Sequence, residues 1–208
     1  MVWHTVPALV QRFFPERIWN GNSEKNRIYL TFDDGPVPGV TDFVLDELAK
    51  RNQVATFFVV GDNVRKYPQL ALRILESGNQ IGNHTFNHMN GWKTDLKTYL
   101  KNTQLCQETL RDQLGFEATL FRPPFGLMTR GQAKLITQTH QIAMWTVLSG
   151  DYDDQMRPKQ ILEKTRIHSL PGRIVVFHDQ EKTAKVLPDF LPNYLDYVLD
   201  QSWSTSTL

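Results

Sequence analysis

Short apolar runs alternate along the chain with longer segments in which apolar residues recur at helical spacing. The run 55–60 is apolar at almost every position, which is typical of a strand buried on both faces of a sheet. Val40, Val44 and Leu48 recur every four residues, which predicts a helix after the first strand. The pattern predicts strands over 28–32, 55–60, 80–82, 120–121, 142–148 and 174–177. It predicts helices over 40–48, 70–78, 94–114, 129–140, 158–168 and 187–199.

This alternation of strands and helices over the whole chain predicts an α/β fold with a parallel sheet. Six or so strand–helix units are too few for a regular eight-unit barrel, but they are enough to close an incomplete one. No repeat, low-complexity tract or linker interrupts the pattern. We therefore expect a single domain over residues 27–208, with residues 1–26 as an N-terminal extension that packs on its outside.

The composition argues against several classes of function. The chain has 208 residues and a formal net charge of +1, so nothing favours binding to nucleic acid or to an anionic membrane surface. A single cysteine, Cys106, excludes an internal disulfide and a cysteine-based zinc site. No segment approaches the ~20 apolar residues of a membrane span, and the N-terminus lacks the features of a signal peptide. We therefore expect a cytoplasmic protein, and the sequence implies no protein partner.

The most informative segment is the sequence TFDDGP at positions 31–36. Its two adjacent carboxylates, Asp33 and Asp34, follow a predicted buried strand and precede a Gly-Pro turn. A turn with side-chain caps would explain the glycine and the proline, but it would not explain a double acid after a buried strand. One aspartate can bind a metal ion while the other accepts a proton from water, so we favour a functional interpretation.

Two histidines further along the chain supply additional metal ligands. His84 and His88 are four residues apart, so on a helical turn both imidazoles would lie on one face, close enough to bind one metal ion. Such a pair alone is more often a surface or packing feature, but here a carboxylate pair strengthens the functional interpretation. Two imidazoles and one carboxylate leave coordination positions open for water and substrate, as catalytic zinc sites do. The metal would lower the pKa of a bound water towards ~7 and polarise a substrate carbonyl.

Three more chemically informative residues follow predicted strands. His178 ends an apolar strand and suits a general acid, because histidine titrates near neutrality. Arg122 precedes two prolines, and we interpret it as one half of an ion pair, for which Asp151 is the natural partner; a surface arginine is the alternative that the residue alone leaves open. The carboxyl ends of parallel strands face one side of the sheet, so these residues are expected to converge. Aromatic candidates for the walls of a sugar site, at equal odds with core packing, are Trp92, Phe125 and Tyr152.

As a set, these residues resemble the motifs of polysaccharide deacetylases of the NodB-homology type, carbohydrate esterase family 4. All five motifs of that family stand in order between about residues 27 and 197, each after a predicted strand. The resemblance implies a distorted, incomplete (β/α) barrel of about six to seven parallel strands, with one NodB-type catalytic domain. The matching segments are 31–36, 84–88, 122–126, 145–152 and 176–178.

The resemblance also implies roles for individual residues. Asp33 would be the general base and His178 the general acid. Arg122 would orient Asp33, with Asp151 pairing to Arg122. A divalent metal, usually zinc although cobalt, nickel or manganese can substitute, would be held by Asp34, His84 and His88. The residues implied to contact the substrate are Pro124, Phe125, Trp145, Tyr152 and Val176.

The implied reaction is removal of N-acetyl groups from N-acetylhexosamine units of a peptidoglycan- or chitin-like glycan, or of a soluble precursor. Two alternatives stay open on the same scaffold. One is hydrolysis of another amide or of an O-acetyl ester, and the other is glycan binding with little catalysis. A two-histidine, one-carboxylate iron oxygenase is disfavoured, because those sites generally occupy all-β double sheets.

Overall fold

Strands and helices alternate in the computed structural model, which describes residues 4–22 and 26–208. The strands are β1 (Arg27–Asp33), β2 (Thr56–Val59), β3 (Gln80–Asn83), β4 (Leu120–Phe121), β5 (Gln141–Ile142), β6 (Val147–Leu148), β7 (Ile174–His178) and β8 (Ser204–Thr205). The α-helices are α1 (Ala8–Phe13), α2 (Val40–Ala49), α3 (Gly61–Lys66), α4 (Pro68–Glu76), α5 (Leu96–Leu114), α6 (Arg130–Ile136), α7 (Pro158–His168) and α8 (Leu187–Asp200). The sequence pattern missed α1, α3 and β8, which are too short to show a period.

Within the described residues, seven strands form one parallel path in the order β5-β4-β3-β2-β1-β7-β6, and β8 pairs in parallel with the start of β1. Strand β1 lies between β2 and β7, and every residue of β1 after Arg27 is buried. This burial on both faces explains why the strand segments are apolar runs rather than alternating patterns. The prediction of an incomplete barrel with six to seven parallel strands is confirmed.

The two edges of this sheet are joined by only four residues, 143–146, which we call the seam. Strand β5 lies at one edge and β6 at the other, so the sheet curls into a half-barrel whose edges face each other across the seam. The prediction of one continuous strand over 142–148 is therefore wrong. The physical reason is that the carbonyl groups of Ala143 and Met144 accept hydrogen bonds from the side chain of Arg122.

Residues 4–22 lie against the seam. Thr5 forms an antiparallel bridge with Val147. Ile18 donates a backbone hydrogen bond to the Ile142 carbonyl and accepts one from the Met144 amide, both at 2.8 Å. Of the predicted extension over 1–26, residues 1–3 and 23–25 lie outside the described part of the chain, and the boundary at residue 26 stays a prediction.

Each helix from α2 to α8 buries apolar residues, whereas α1 buries none. Helix α8 buries Leu187, Leu191, Leu195 and Val198, the side that the residue spacing predicts. Helix α6 ends at Ile136, four residues before the predicted end. Among the helices of residues 4–22 and 26–208, none is both long enough and apolar enough to cross a membrane.

Stacked aromatic rings form the centre of the core. The ring of Phe32 on β1 lies 5.2 Å from that of Phe57 on β2 and 5.5 Å from that of Phe177 on β7, measured between centroids. Phe177 in turn contacts Tyr194 of α8 edge to face at 5.2 Å. The three central strands and α8 are thus locked together directly beneath the ends of β1 and β7.

We expect Phe177→Ala to lower the free energy of unfolding by about 3–5 kcal/mol, because it leaves a cavity in a fully buried aromatic cluster. The matched control is Phe13→Ala, since Phe13 is 70% exposed and its truncation should change the free energy by less than about 0.5 kcal/mol. Urea unfolding of both variants and the wild type measures the difference. Equal losses for the two variants would contradict this description of the core.

Candidate active site

The carboxyl ends of the strands open onto a cleft of about 700 Å³. β1 contributes Asp33 and the residue after it, β3 leads into the His84–His88 loop, and β7 ends at His178. A parallel sheet brings these distant segments together because all of its strands end on one side. The predicted site residues that line the cleft are Asp33, Asp34, His84, His88, Phe125, Trp145, Tyr152, Val176 and His178.

Asp34, His84 and His88 form a cluster whose candidate ligand atoms all lie within 4.8 Å of one another. Asp34 Oδ1 lies 3.4 Å from His84 Nε2 and 2.9 Å from His88 Nε2. This oxygen is buried, yet it has no partner with hydrogen-bond geometry. Burial alone would raise the pKa of Asp34, but the two imidazoles and the charge of His178 hold it well below its usual range. An ionised oxygen facing two ring nitrogens fits a divalent cation site.

A hydrogen bond fixes which nitrogen of His84 is available to a metal. His84 donates from Nδ1 to the carbonyl oxygen of Arg122 at 2.7 Å. A carbonyl can only accept, so Nδ1 carries the proton and Nε2 presents its lone pair towards Asp34. Support of this kind from the far side of the ring is a common feature of histidine ligands in metal sites.

The loops that carry this cluster have strained backbones. Asp34, Thr85 and His88 adopt φ angles of +82°, +63° and +53°, in the left-handed region that non-glycine residues rarely occupy. Thr85 is β-branched, so its conformation is the most costly of the three. Such strain persists only where surrounding contacts outweigh it, and here it turns the ends of β1 and β3 towards each other.

Two asparagines that sequence reasoning missed hold these loops in place. Asn102 of α5 accepts hydrogen bonds at Oδ1 from the amides of Phe86 and Asn87, both at 2.9 Å. Asn63 of α3 donates from Nδ2 to the carbonyl of Asp34 at 2.8 Å. A single asparagine on a helix gives no local signal in the sequence, because its partner lies many residues away.

Arg122 is fully buried beneath the cleft, with an exposed fraction of 0%. Its Nη1 donates to Asp33 Oδ1 at 2.7 Å and to Thr31 Oγ1 at 2.8 Å. Its Nε and Nη2 donate to the carbonyls of Ala143 and Met144 in the seam. Its guanidinium also lies over the ring of Phe58 at 4.0 Å. Burial lowers the pKa of Arg122, and the charge of Asp33 opposes that effect.

The expected pairing of Asp151 with Arg122 is wrong. The guanidinium already binds Asp33, Thr31 and the two seam carbonyls. Asp151 lies in the loop after β6, and β6 pairs with β7, which ends at His178. Asp151 Oδ1 accepts from His178 Nδ1 at 2.7 Å, and its Oδ2 accepts from the His178 amide at 2.8 Å. Asp151 therefore orients the histidine rather than the arginine.

The same contact sets the charge of His178. Burial alone would lower the pKa of His178, but the charge and hydrogen bond of Asp151, together with Asp34 and Asp33, raise it to about 9. Because Nδ1 is bound to Asp151, His178 Nε2 is the nitrogen that remains for a substrate. The ring carries a proton at neutral pH in this environment.

Another buried carboxyl, Asp179, supports the loop that holds Asp34. Its Oδ1 accepts from the Gly35 amide at 3.1 Å, and its Oδ2 accepts from Thr41 Oγ1 at 2.6 Å. Gly35 is required here, because a Cβ at this position would lie 2.0 Å from Asp179 Oδ2. Burial raises the pKa of Asp179 to about 8; the Thr41 hydrogen bond opposes this and the charge of Asp34 adds to it.

Aromatic side chains wall the cleft on two sides. Phe125 meets the ring of His88 edge-on at 4.6 Å, and Tyr152 meets the ring of His178 edge-on at 5.2 Å. The expectation for Pro124 is corrected: it is buried beneath its loop, and Pro123 lines the cleft in its place. Cys106 is buried away from the cleft, where burial raises the pKa of its thiol to about 12.

The chain is similar in sequence to known glycan deacetylases. The family model described as polysaccharide deacetylase matches residues 20–144, more than half of the chain. The peptidoglycan-N-acetylmuramic acid deacetylase PdaC of Bacillus subtilis is 33% identical over 184 residues, which cover 87% of this chain and 38% of that protein. A peptidoglycan-N-acetylglucosamine deacetylase of Bacillus cereus is 34% identical over 161 residues, which cover 77% of this chain and 58% of that protein. The chain thus spans less than two thirds of the length of either relative.

The similarity extends to solved structures. The crystal structure of the Bc1960 peptidoglycan N-acetylglucosamine deacetylase, in complex with 4-naphthalen-1-yl-N-oxidanyl-benzamide, matches with a TM-score of 0.85 at 27% identity. The match covers 98% of this chain and 95% of that chain. The curled sheet and its helices are therefore shared across nearly the whole described chain.

We expect NMR titration of the chelator-treated protein to show that His178 loses its proton near pH 9, and that Asp151→Asn lowers this midpoint. A histidine pKa raised in the folded state stabilises the fold below its unfolded value of about 6.5, and this contribution is lost as the pH rises through the folded pKa. The internal control is His140, whose pKa burial lowers and which Asp151 does not touch. An unchanged His178 midpoint in the variant would contradict the role of Asp151.

Proposed function

Because the chain belongs to the polysaccharide deacetylase family, we propose that it is a metal-dependent hydrolase that removes N-acetyl groups from N-acetylhexosamine units of a glycan. The observation that carries this proposal is the convergence of Asp34, His84 and His88 with Asp33 and His178 on one cleft. That set contains candidate metal ligands, a carboxylate base and a protonated acid, which is the inventory for hydrolysis of an unactivated amide.

Asp34, His84 and His88 are proposed to hold the ion, for which zinc is the first candidate and cobalt, nickel or manganese are substitutes. The buried Asp34 Oδ1, which lacks a hydrogen-bond partner, supports this assignment. A divalent cation bound there would polarise the acetyl carbonyl and favour ionisation of water at neutral pH.

Asp33 is the proposed general base. Its ion pair with Arg122, at 2.7 Å, fixes the orientation of the carboxylate. Because Arg122 occupies Oδ1, we assign uptake of the water proton to Oδ2. Arg122 acts through Asp33 and does not line the cleft, so it is a positioning residue.

His178 is the proposed general acid. The oxygen of water adds to the acetyl carbonyl carbon, and the carbon–nitrogen bond then breaks with its electron pair going to nitrogen. His178 Nε2 supplies the proton that this nitrogen takes up, so the products are acetate and a free amine. Asp151 positions His178 through Nδ1 and favours its protonated form.

The cleft suits a sugar rather than an extended apolar ligand. Phe125, Trp145 and Tyr152 offer flat apolar surfaces, while the catalytic candidates lie between them. The named relatives act on peptidoglycan, so peptidoglycan- or chitin-like glycans are the proposed substrate class.

We expect Asp33→Asn to lower acetate release by about 10²–10⁴-fold, because the variant cannot accept a proton at this position. Zinc affinity, measured by calorimetry, should change little, since Asp33 is not among the proposed ligands. The assay uses zinc-reconstituted protein and a panel of N-acetylglucosamine oligomers, peptidoglycan fragments and O-acetylated xylan.

The matched control is Asp189→Asn, which removes an exposed carboxylate on α8 and should leave activity unchanged. Full turnover by Asp33→Asn on every active substrate would show that the base is another residue. If zinc binds but no member of the panel releases acetate, the reaction is hydrolysis of a different amide, or the protein binds glycans without cleaving them.

A further inference from the structure

The indole ring of Trp92 is 67% exposed, yet its position is rigidly fixed. Its Nε1 donates to the carbonyl of Met128 at 3.1 Å, and its backbone amide donates to Asn90 Oδ1 at 3.0 Å. The polar edge of the indole is therefore satisfied by the protein. What the ring presents to solvent is its flat apolar surface.

A fully buried glutamine of α6 holds the Trp92 segment, which also bonds to the loop after β4. Gln132 donates from Nε2 to the carbonyls of Gly91 and Thr94, at 2.9 and 3.0 Å. The Gly91 amide donates to the carbonyl of Leu127 at 3.2 Å. The approach is so close that a Cβ on Gly91 would lie 2.6 Å from that carbonyl oxygen. Single exposed apolar residues are common on proteins, but here a buried polar network fixes the segment that carries the ring.

Trp92 is not among the residues that line the cleft, but it follows closely in the chain after one of them, His88. Trp92 lies four residues after His88, so their Cα atoms are at most about 15 Å apart. The partner loop places Phe125, 60% exposed, against His88 on one end and Met128 against Trp92 on the other. Two exposed aromatic rings, Phe125 and Trp92, thus stand on one pair of hydrogen-bonded loops, the first at the candidate metal cluster and the second beyond it.

From this arrangement we propose that Trp92 forms an additional subsite, which binds a sugar ring further along an extended glycan, beyond the two units of a dimer. The inference rests on the proposed function, since it takes the acetylated sugar to lie at the cleft. A pyranose ring is uncharged and has an apolar face of carbon–hydrogen bonds, which matches a flat aromatic surface with no free polar atom. Because the ring is already ordered, stacking on it costs little conformational entropy. The protein should therefore prefer oligomers over short substrates.

The test compares Trp92→Ala, Trp92→Phe and the wild type, each zinc-loaded, on N-acetylglucosamine oligomers from the dimer to the hexamer. Loss of one aromatic stacking contact corresponds to about a threefold to tenfold change. We expect Trp92→Ala to raise KM for the hexamer by this factor without changing kcat, and to leave the dimer unaffected. Trp92→Phe should recover most of the loss. The matched control is Ile167→Ala, which truncates a 70% exposed side chain on α7.

Calorimetric binding of the hexamer to the same variants separates this inference from the proposed function. If the wild type releases no acetate but Trp92→Ala still weakens hexamer binding, the proposed function fails and the subsite stands. Equal losses on dimer and hexamer, an unchanged hexamer KM and affinity, or no hexamer binding by the wild type would each overturn the subsite. The subsite would also be overturned if Trp92→Ala changed the oligomeric state, measured by light scattering, but not glycan binding. The ring would then face another copy of the chain.

Discussion

The buried guanidinium of Arg122 is the interaction on which both the fold and the candidate site depend. The half-barrel leaves a seam where the backbone carbonyls of Ala143 and Met144 have no strand to pair with, and Arg122 supplies their donors. A charge placed there needs an anionic partner, and Asp33 provides it at 2.7 Å. Removing either member would leave an unpaired buried charge, at a cost of about 3–5 kcal/mol. The side chain of Arg122 therefore both closes the sheet at the seam and holds the carboxylate of Asp33.

The ion pair with Arg122 gives the two adjacent carboxylates, Asp33 and Asp34, different roles. Asp33 is committed to Arg122 on the strand itself, while the left-handed turn at Asp34 aims the next carboxylate at the histidines. The backbone carbonyl of Arg122 also orients His84 by accepting its Nδ1 proton. Arg122 thus touches the base through its side chain and the candidate metal cluster through its backbone. Asp151 orients His178 in the same way that Arg122 orients Asp33. Each proposed proton-transfer residue is thus held by its own buried partner.

The sequence predicted the parts of this arrangement that are local in the chain. The apolar runs predicted the strands, and the polar residues that follow them, such as Asp33 and His178, indicated the candidate site. The pairings within the site could not be predicted from the sequence, because the contact of Asp151 with His178 depends on β6 and β7 being neighbours in the sheet. The supporting residues Asn102 and Asp179 carried no signal of their own, since a helix-face asparagine or a single aspartate acquires its role only from what packs against it. The same holds for residues 142–148, where a side chain from another loop replaced the strand partner.

The measurement that tests this account most directly is anomalous diffraction at the zinc edge from crystals of the zinc-loaded protein. We predict one ion at the ends of β1 and β3, bound by Asp34, His84 Nε2 and His88 Nε2. Asp33 should remain in its ion pair with Arg122 and outside the coordination sphere. An ion bound by Asp33, or an Arg122 side chain that has left Asp33 for another partner, would contradict the claim that Arg122 reserves this carboxylate for proton transfer.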